Sequence, residues 1–323
     1  MLELQSCPLC GSAKLQPCWV LKDRMYALEG SYSLVECSGC GLRFLNPQPE
    51  FQKLARHYPQ QYYAYQKLQN AERNQLECLY EKLYDVLYGP SFKQQTLIRW
   101  LFLPCAFLMP GTTVAPGRRF LDVGCGAGYM VERMARWGME AVGIEADQQA
   151  VKAANQKGIR VFQGYAAPLP FSSETFDVVT MHATLEHVPD PQAALNEVFR
   201  VLKAGGVAHI SVPNRRSLAA FLFGQFWIAL DAPRHLFIFT PRLLREFARK
   251  AGFQIKSTHY RPALVQSFFG SIHYWWAARI GADTRLSASR VMKTQWRLLL
   301  LPFCMALCAL RLGDSVEVIF QKP

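Results

Sequence analysis

Two short motifs near the start of the chain, Cys7-Pro-Leu-Cys10-Gly and Cys37-Ser-Gly-Cys40-Gly, have the types and spacing for metal chemistry, with 26 residues between them. A CxxC turn puts both sulfurs on one side, and the glycine that follows lets backbone N–H groups face a thiolate. Two such turns make a tetrahedral four-thiolate site suited to Zn²⁺, and four thiolates leave no open position, so the metal would be structural. Two reduced surface pairs or an iron site are the alternatives, and Cys18 reads as a core cysteine. A second signal is LDVGCGAGY, Leu121–Tyr129. An apolar run ends in Asp122, and Gly124, Gly126 and Gly128 alternate before a helical pattern. Glycines there allow a tight turn and close approach of a ligand to the backbone, while the helix N-terminus offers free N–H groups to an anion. About 20 residues on, the next apolar run ends in Glu145, where a carboxylate can accept from both hydroxyls of a ribose. The spacing is GxGxG and not GxGxxG, and Asp122 stands where it would meet a cation. A ligand with a ribose, an ammonium and a carboxylate therefore fits better than a dinucleotide.

The elements that must hold these groups follow from periodicity. From Phe120 onward short apolar runs alternate with helical stretches: FLDVG, EAVGIE, IRVFQ, FDVVTM and VAHISV are strands, with FQIKSTHY a sixth and SVEVIFQ a seventh. YMVERMARWG, DQQAVKAANQKG, PQAALNEVFRVLKAGG and FTPRLLREFARKAG are the helices between them. This alternation predicts an α/β fold, a mostly parallel sheet with helices on both faces. Three units are expected: a small zinc ribbon over 1–50, a helical linker or cap over 51–117, and a sheet domain over 118–323 with a helical insertion at 261–314. That insertion is too long to be structureless in a compact domain.

Read together, LDVGCGAG, GIEAD, PLPFSSETFDVV, LEHVPDP and FRVLKAGGVAHISVPN occur in the order of the class I S-adenosylmethionine-dependent methyltransferases, and the chain resembles that family over about residues 118–260 plus the last strand. The resemblance implies a Rossmann-like seven-stranded sheet and S-adenosyl-L-methionine as cofactor. Asp122, Gly124, Gly126 and Gly128 would hold its methionine portion and Glu145 its ribose, with Met181 and His182 beneath the sulfonium. Many relatives read the adenine with an acid after the third strand. Here Tyr165 and Ala166 stand in its place, so backbone groups or stacking would make that contact. CPxCG…CxxCGLxFxNPxP, a Tyr-rich helical stretch and Phe226-Trp227…Asp231–Leu236 also resemble a bacterial family of zinc-ribbon methyltransferases associated with glycan, lipid or natural-product sugars.

The segment GQFWIALDAPRHLFIFT follows the fifth strand, where an acceptor loop belongs. His235 has the intrinsic pKa to take a proton from a hydroxyl or an acidic carbon near neutrality. Arg234 could grip a phosphate or carboxylate on the acceptor, and Trp227 could line its site. The alternative places His235 and Arg234 as a helix cap or as packing under the sheet. Glu186 and His187 are read either as acid/base groups or as groups that orient the loop beside the cofactor. The expected reaction is in-line transfer of a methyl group to an O or C nucleophile.

Composition narrows the partners. The 323 residues carry 36 Lys+Arg against 24 Asp+Glu, a net charge of +12, while half of them are apolar. Disordered and collagen-like classes are excluded. Lys256–Arg311 alone holds eight basic residues and one acid, a net +7, beside Trp275, Trp276, Trp296 and the apolar run Leu298–Leu310. These are ingredients of a helix lying on an anionic membrane, of a lid, or of a dimer interface. No secretory signal and no apolar stretch of membrane-spanning length is read, so a cytoplasmic protein, peripheral to the inner membrane at most, is expected. The acceptor is read as a small molecule, a glycan or a lipid-linked intermediate. An RNA methyltransferase that grips its substrate through the ribbon is an alternative; residues 1–50 lack the dense basic and aromatic cluster that RNA requires, which makes nucleic acid the weaker partner. The third alternative is a zinc-bearing interaction protein without activity.

Overall fold

The computed structural model describes residues 1–50, 54–58, 115–261, 264–282 and 301–323. Most of the expected helical cap and the middle of the insertion lie outside the described residues. Seven strands form the main sheet: β4 (Arg119–Val123), β5 (Glu140–Glu145), β6 (Val161–Gln163), β7 (Phe176–His182), β8 (Leu202–Pro213), β10 (Gln254–Arg261) and β11 (Ser315–Gln321). Their order is β10-β11-β8-β7-β4-β5-β6. β11 runs antiparallel to both β8 and β10, and the other pairs are parallel. All seven runs expected to be strands are strands, and the Rossmann-like class is as expected.

Three of the helices begin on a side chain that satisfies an otherwise free N–H group. Asp147 caps α2 (Gln148–Gln156) by accepting from Ala150 N at 2.7 Å, and Asp190 caps α3 (Pro191–Val201) by accepting from Ala193 N at 2.9 Å. Thr240 does the same for α5 (Pro241–Lys250). Pro191 and Pro241 open their helices, where a missing N–H costs nothing. On one face of the sheet Leu121, Val123, Val179 and Met181 pack with Leu195 and Val198 of α3 and Leu244 and Phe247 of α5. On the other, Phe120 and Val178 pack with Val131 and Met134 of α1 (Tyr129–Arg136) and Ala154 of α2. One boundary differs from its expectation. Helical pattern continues through Gly206, but α3 ends at Val201 and β8 starts at Leu202. Gly205 and Gly206 are poor helix formers, and the strand gains the Lys203–Asp177 ion pair at 2.9 Å.

The ribbon is not a free-standing unit. β1 (Leu15–Leu21), β2 (Tyr32–Cys37) and β3 (Arg43–Leu45) form an antiparallel sheet whose fourth strand is β9 (Phe237–Ile238), from the segment after β8. Phe44 and Phe237 meet across that junction with ring centroids 6.1 Å apart. The ribbon residues Leu34, Leu42 and Phe44 belong to the same buried cluster as α3 and α5. From the insertion, α6 (Leu264–Ile280) packs on α4 (Leu218–Phe223) and on the segment after β8, and α7 (Leu301–Ala309) buries Cys304 and Leu307 against Leu218 and Phe268. Trp227 Nε1 donates to Ser267 Oγ at 3.2 Å, and Ile228 N donates to Ser271 Oγ at 3.0 Å. Among the described residues no helix is long and apolar enough to cross a membrane.

Candidate active site

Strand order reverses at β4, whose neighbours are β5 on one side and β7 on the other. Open α/β sheets bind ligands in the crevice outside the carboxyl ends of strands at such a point. Asp122, Glu145 and the glycine turn lie there. Gly124, Gly126 and Gly128 all have positive φ, at 73°, 53° and 78°. A Cβ on Gly124 would stand 2.4 Å from the Thr184 side chain, and one on Gly128 would stand 2.7 Å from Ile159. A Cβ on Gly126 would meet nothing within 4 Å, so this glycine alone opens onto free space.

The carboxylates flank that space. Asp122 is buried and accepts from Thr180 Oγ at 2.6 Å through Oδ1; among the described residues nothing donates to Oδ2. Burial pushes its carboxyl up to about 7, against the Thr180 hydrogen bond. An ammonium on the free oxygen would restore the charged form. Glu145 accepts from Gly126 N at 2.8 Å and Asp147 N at 2.9 Å. Each oxygen keeps a lone pair for a hydroxyl, and burial raises this carboxyl too. The residues present thus fit S-adenosylmethionine. Thr180, which fixes Asp122, carried no signal in the sequence. Ala166 is buried and Tyr165 is exposed.

Met181 and His182 separate. Met181 is fully buried in the cluster beneath α3 and α5, whereas His182 sits on the opposite face with Asp122 and Thr180. Its Nδ1 pairs with Ser211 Oγ at 3.0 Å, and burial pushes it down to about 4, so it is neutral. Beyond it, His209 reaches Glu317 at 3.4 Å and Arg261 closes on Glu317 at 2.7 Å.

A second cluster forms where the turn after β7 meets the segment after β8. Leu236 N donates to Glu186 O at 2.8 Å and ties the two together. One donor atom each from Glu186, His187 and His235 lies within 4.8 Å of the others. His187 Nδ1 lies 3.0 Å from Arg234 O and His235 Nδ1 lies 2.7 Å from Ala229 O. A carbonyl only accepts, so His235 Nδ1 carries the proton; His187 Nδ1 is shared between Arg234 O and the Tyr58 hydroxyl, 3.1 Å away, which can donate or accept. Burial lowers both imidazoles, His187 to about 3, and both are neutral at pH 7. Glu186 is 1% exposed and neither of its carboxylate oxygens has a hydrogen-bond partner. Burial pushes its carboxyl up to about 8.

The expected grip of Arg234 on an acceptor anion is corrected here. Its guanidinium is fully buried and donates five hydrogen bonds, to both oxygens of Asp23, both oxygens of Asp231 and the carbonyl of His57. A guanidinium has five N–H groups, so none remains for a substrate. Arg234 instead locks the ribbon to the acceptor segment, and Asp23 on the ribbon side carries no sequence signal that could have found it. Trp227 is buried and lines a narrow cleft with Leu21, Lys22, Arg24, Asp231 and Tyr274.

The four ribbon cysteines converge as their spacing predicts. Cys7 and Cys40 sulfurs are 3.6 Å apart and those of Cys10 and Cys37 3.5 Å apart. Four thiolates around one Zn²⁺ at about 2.3 Å stand about 3.8 Å from one another. Gly11 and Gly41 adopt positive φ, and their N–H groups bond the carbonyls of Cys7 and Cys37 at 2.8 Å.

Comparison with known proteins agrees with this geometry. A methyltransferase-domain family model matches residues 106–258. The ubiquinone biosynthesis O-methyltransferase of Psychrobacter arcticus is 32% identical over 192 residues, covering 54% of this chain and 72% of that protein. Its counterpart from Ralstonia nicotianae is 33% identical over 167 residues, covering 47% and 70%. A solved S-adenosylmethionine-dependent methyltransferase from Thermotoga maritima is 20% identical with a TM-score of 0.45, covering 72% of this chain and 95% of that one. Sheet order, glycine turn and relatives agree: the chain belongs to the class I S-adenosylmethionine-dependent methyltransferases, and the reading without enzymatic activity is set aside.

Proposed function

We propose that the protein methylates an oxygen of a small-molecule acceptor held between the glycine turn and the ribbon-supported segment. The observation that carries this reading is the convergence of Glu186, His187 and His235, with both Glu186 carboxylate oxygens unpartnered among the described residues. Bound at the switch point, S-adenosylmethionine supplies a methyl group already activated on a sulfonium. Asp122 would hold its ammonium, Glu145 its ribose hydroxyls, and the open face of Gly126 would admit the chain between them. The three clustered side chains would hold the acceptor hydroxyl and lower its affinity for its proton, with the rest of the rate coming from alignment and exclusion of water. The four cysteines would hold a structural zinc that keeps β3 against β9. The two ubiquinone biosynthesis O-methyltransferases similar to this chain support the choice of oxygen over carbon. Exposed apolar side chains on α4, α6 and α7, among them Phe221, Trp276 and Phe303, suit an acceptor with an apolar tail, lipid-linked or free.

The test is transfer of label from methyl-labelled S-adenosylmethionine into cell extract, with and without the enzyme. Label in an organic-soluble small-molecule pool, removed by Glu186→Gln, is the expected result. Label in RNA, or undiminished transfer by the variant, would overturn the reading.

A further inference from the structure

A carboxylate that is buried, ionisable and without any hydrogen-bond partner is costly in a folded protein. Among the described residues Glu186 is one, and one metal-ligating atom each of His187 and His235 lies within 4.8 Å of it. Protonating Glu186 would leave its second oxygen still without a donor. The surroundings are short of positive charge as well: Asp23, Asp231 and Glu186 are served by one guanidinium, Arg234, which is already saturated by the two aspartates and the carbonyl of His57.

We propose that Glu186, His187 and His235 bind a first-row divalent metal ion, distinct from the ribbon zinc, with its open positions facing the acceptor. Two imidazole nitrogens and one carboxylate oxygen on a facial array suit Zn²⁺, Fe²⁺, Co²⁺ or Mn²⁺ better than Mg²⁺ or Ca²⁺, which favour all-oxygen shells. The donors lie within 4.8 Å of one another. Adjacent ligands on such an ion stand about 3.0–3.4 Å apart, so the widest pair closes by up to about 1.8 Å on binding. His235 Nδ1–H donates to a backbone carbonyl, the outer support typical of a metal-bound histidine, and His187 Nδ1 lies 3.0 Å from another carbonyl. The donors come from two loops, 48 positions apart between His187 and His235. Three protein ligands leave positions for an acceptor oxygen, whose proton the ion makes easier to lose. The histidines then act as ligands and not as bases, which deepens the proposed role of the same cluster.

Metal binding can be read without turnover, so its failure would leave the methyl-transfer reading intact. Full-length protein carrying its ribbon zinc is titrated with Mn²⁺, and free ion is followed by its six-line electron paramagnetic resonance signal. Four thiolates do not favour Mn²⁺, so the ribbon stays silent. One Mn²⁺ per chain is expected, weakened at least about tenfold in Glu186→Gln and in His235→Gln while S-adenosylmethionine binding by calorimetry persists. Absence of Mn²⁺ binding by folded wild-type protein, or equal binding by both variants, overturns the proposal. Should the variants fail to fold, Co²⁺ uptake by the wild type decides. A second equivalent with weak visible bands and no added thiolate charge transfer supports the site, and thiolate bands alone overturn it.

Discussion

Replacing Arg234 with methionine separates a structural guanidinium from a substrate-binding one. The side chain is fully buried, as is its partner Asp23, and Asp231 is 7% exposed. Methionine fills a similar volume but removes all five N–H donors at once. Two carboxylates are then left together without a cation, and breaking a buried ion pair from one side costs about 3–5 kcal/mol. At roughly 2–4 °C per kcal/mol, the melting temperature falls by about 6–20 °C. Arg234→Lys retains the charge but has three donors in place of a fork that meets both aspartates, so its loss is intermediate. Adding Asp23→Asn to Arg234→Met restores part of the stability, because one of the stranded charges is gone. The assay is thermal unfolding of all four proteins, with initial rates against acceptor concentration in parallel. If Arg234→Met melts within about 2 °C of the wild type and raises only the acceptor KM, the guanidinium serves the acceptor and the structural assignment is wrong.

Gly126→Ala places a methyl group in open space at φ 53°, so stability falls by only about 1 kcal/mol while S-adenosylmethionine affinity in calorimetry falls at least about tenfold. Gly128→Ala drives Cβ to 2.7 Å from Ile159 and shows the reverse balance, a larger loss in denaturant midpoint. Burial alone would raise Glu317, but the His209 hydrogen bond and the Arg261 guanidinium hold it down to about 2, against 4.5 when unfolded. Its contribution, at most about 3 kcal/mol, is therefore full above pH 4.5 and is lost as pH falls towards 2; Glu317→Gln flattens that stretch of a stability–pH profile. Stripping the proposed zinc with a thiol-reactive mercurial and a chelator lowers acceptor turnover more than cofactor binding, since β9 rests on the ribbon and the glycine turn does not.

Much of the catalytic frame is legible in sequence because it is local. Asp122 through Gly128 are seven consecutive residues, and the strand behind them is a bare apolar run. The cysteine pairs show themselves by spacing. What escapes is long-range. Arg234 and Asp23 are 211 positions apart, and nothing in DAPRH says that its arginine points inward. β9 has only two residues, and its identity as a strand depends wholly on pairing with Arg43 and Phe44 of the ribbon. Glu186 and His187 have obvious chemical types, but their convergence with His235 depends on the Leu236–Glu186 backbone bond.

The ribbon's place in the fold follows from that same long-range set. A three-stranded sheet of short strands has too little apolar area to hold itself, which is why such units commonly carry a metal. Here the sheet borrows more than a metal. It takes β9 from the acceptor segment, Phe237 for its core, and Arg234 for Asp23. In return the segment gains a fixed backbone directly after His235: Leu45 N donates to Leu236 O at 2.9 Å, and Leu236 N donates to Glu186 O at 2.8 Å. A continuous path of hydrogen bonds thus runs from ribbon strand to acceptor segment to the turn after β7. The glycine turn and its carboxylates stand outside that path, on the strands of the main sheet. On the proposed function, cofactor and acceptor sides are therefore supported by different parts of the chain, so the ribbon would set acceptor geometry without disturbing the cofactor site.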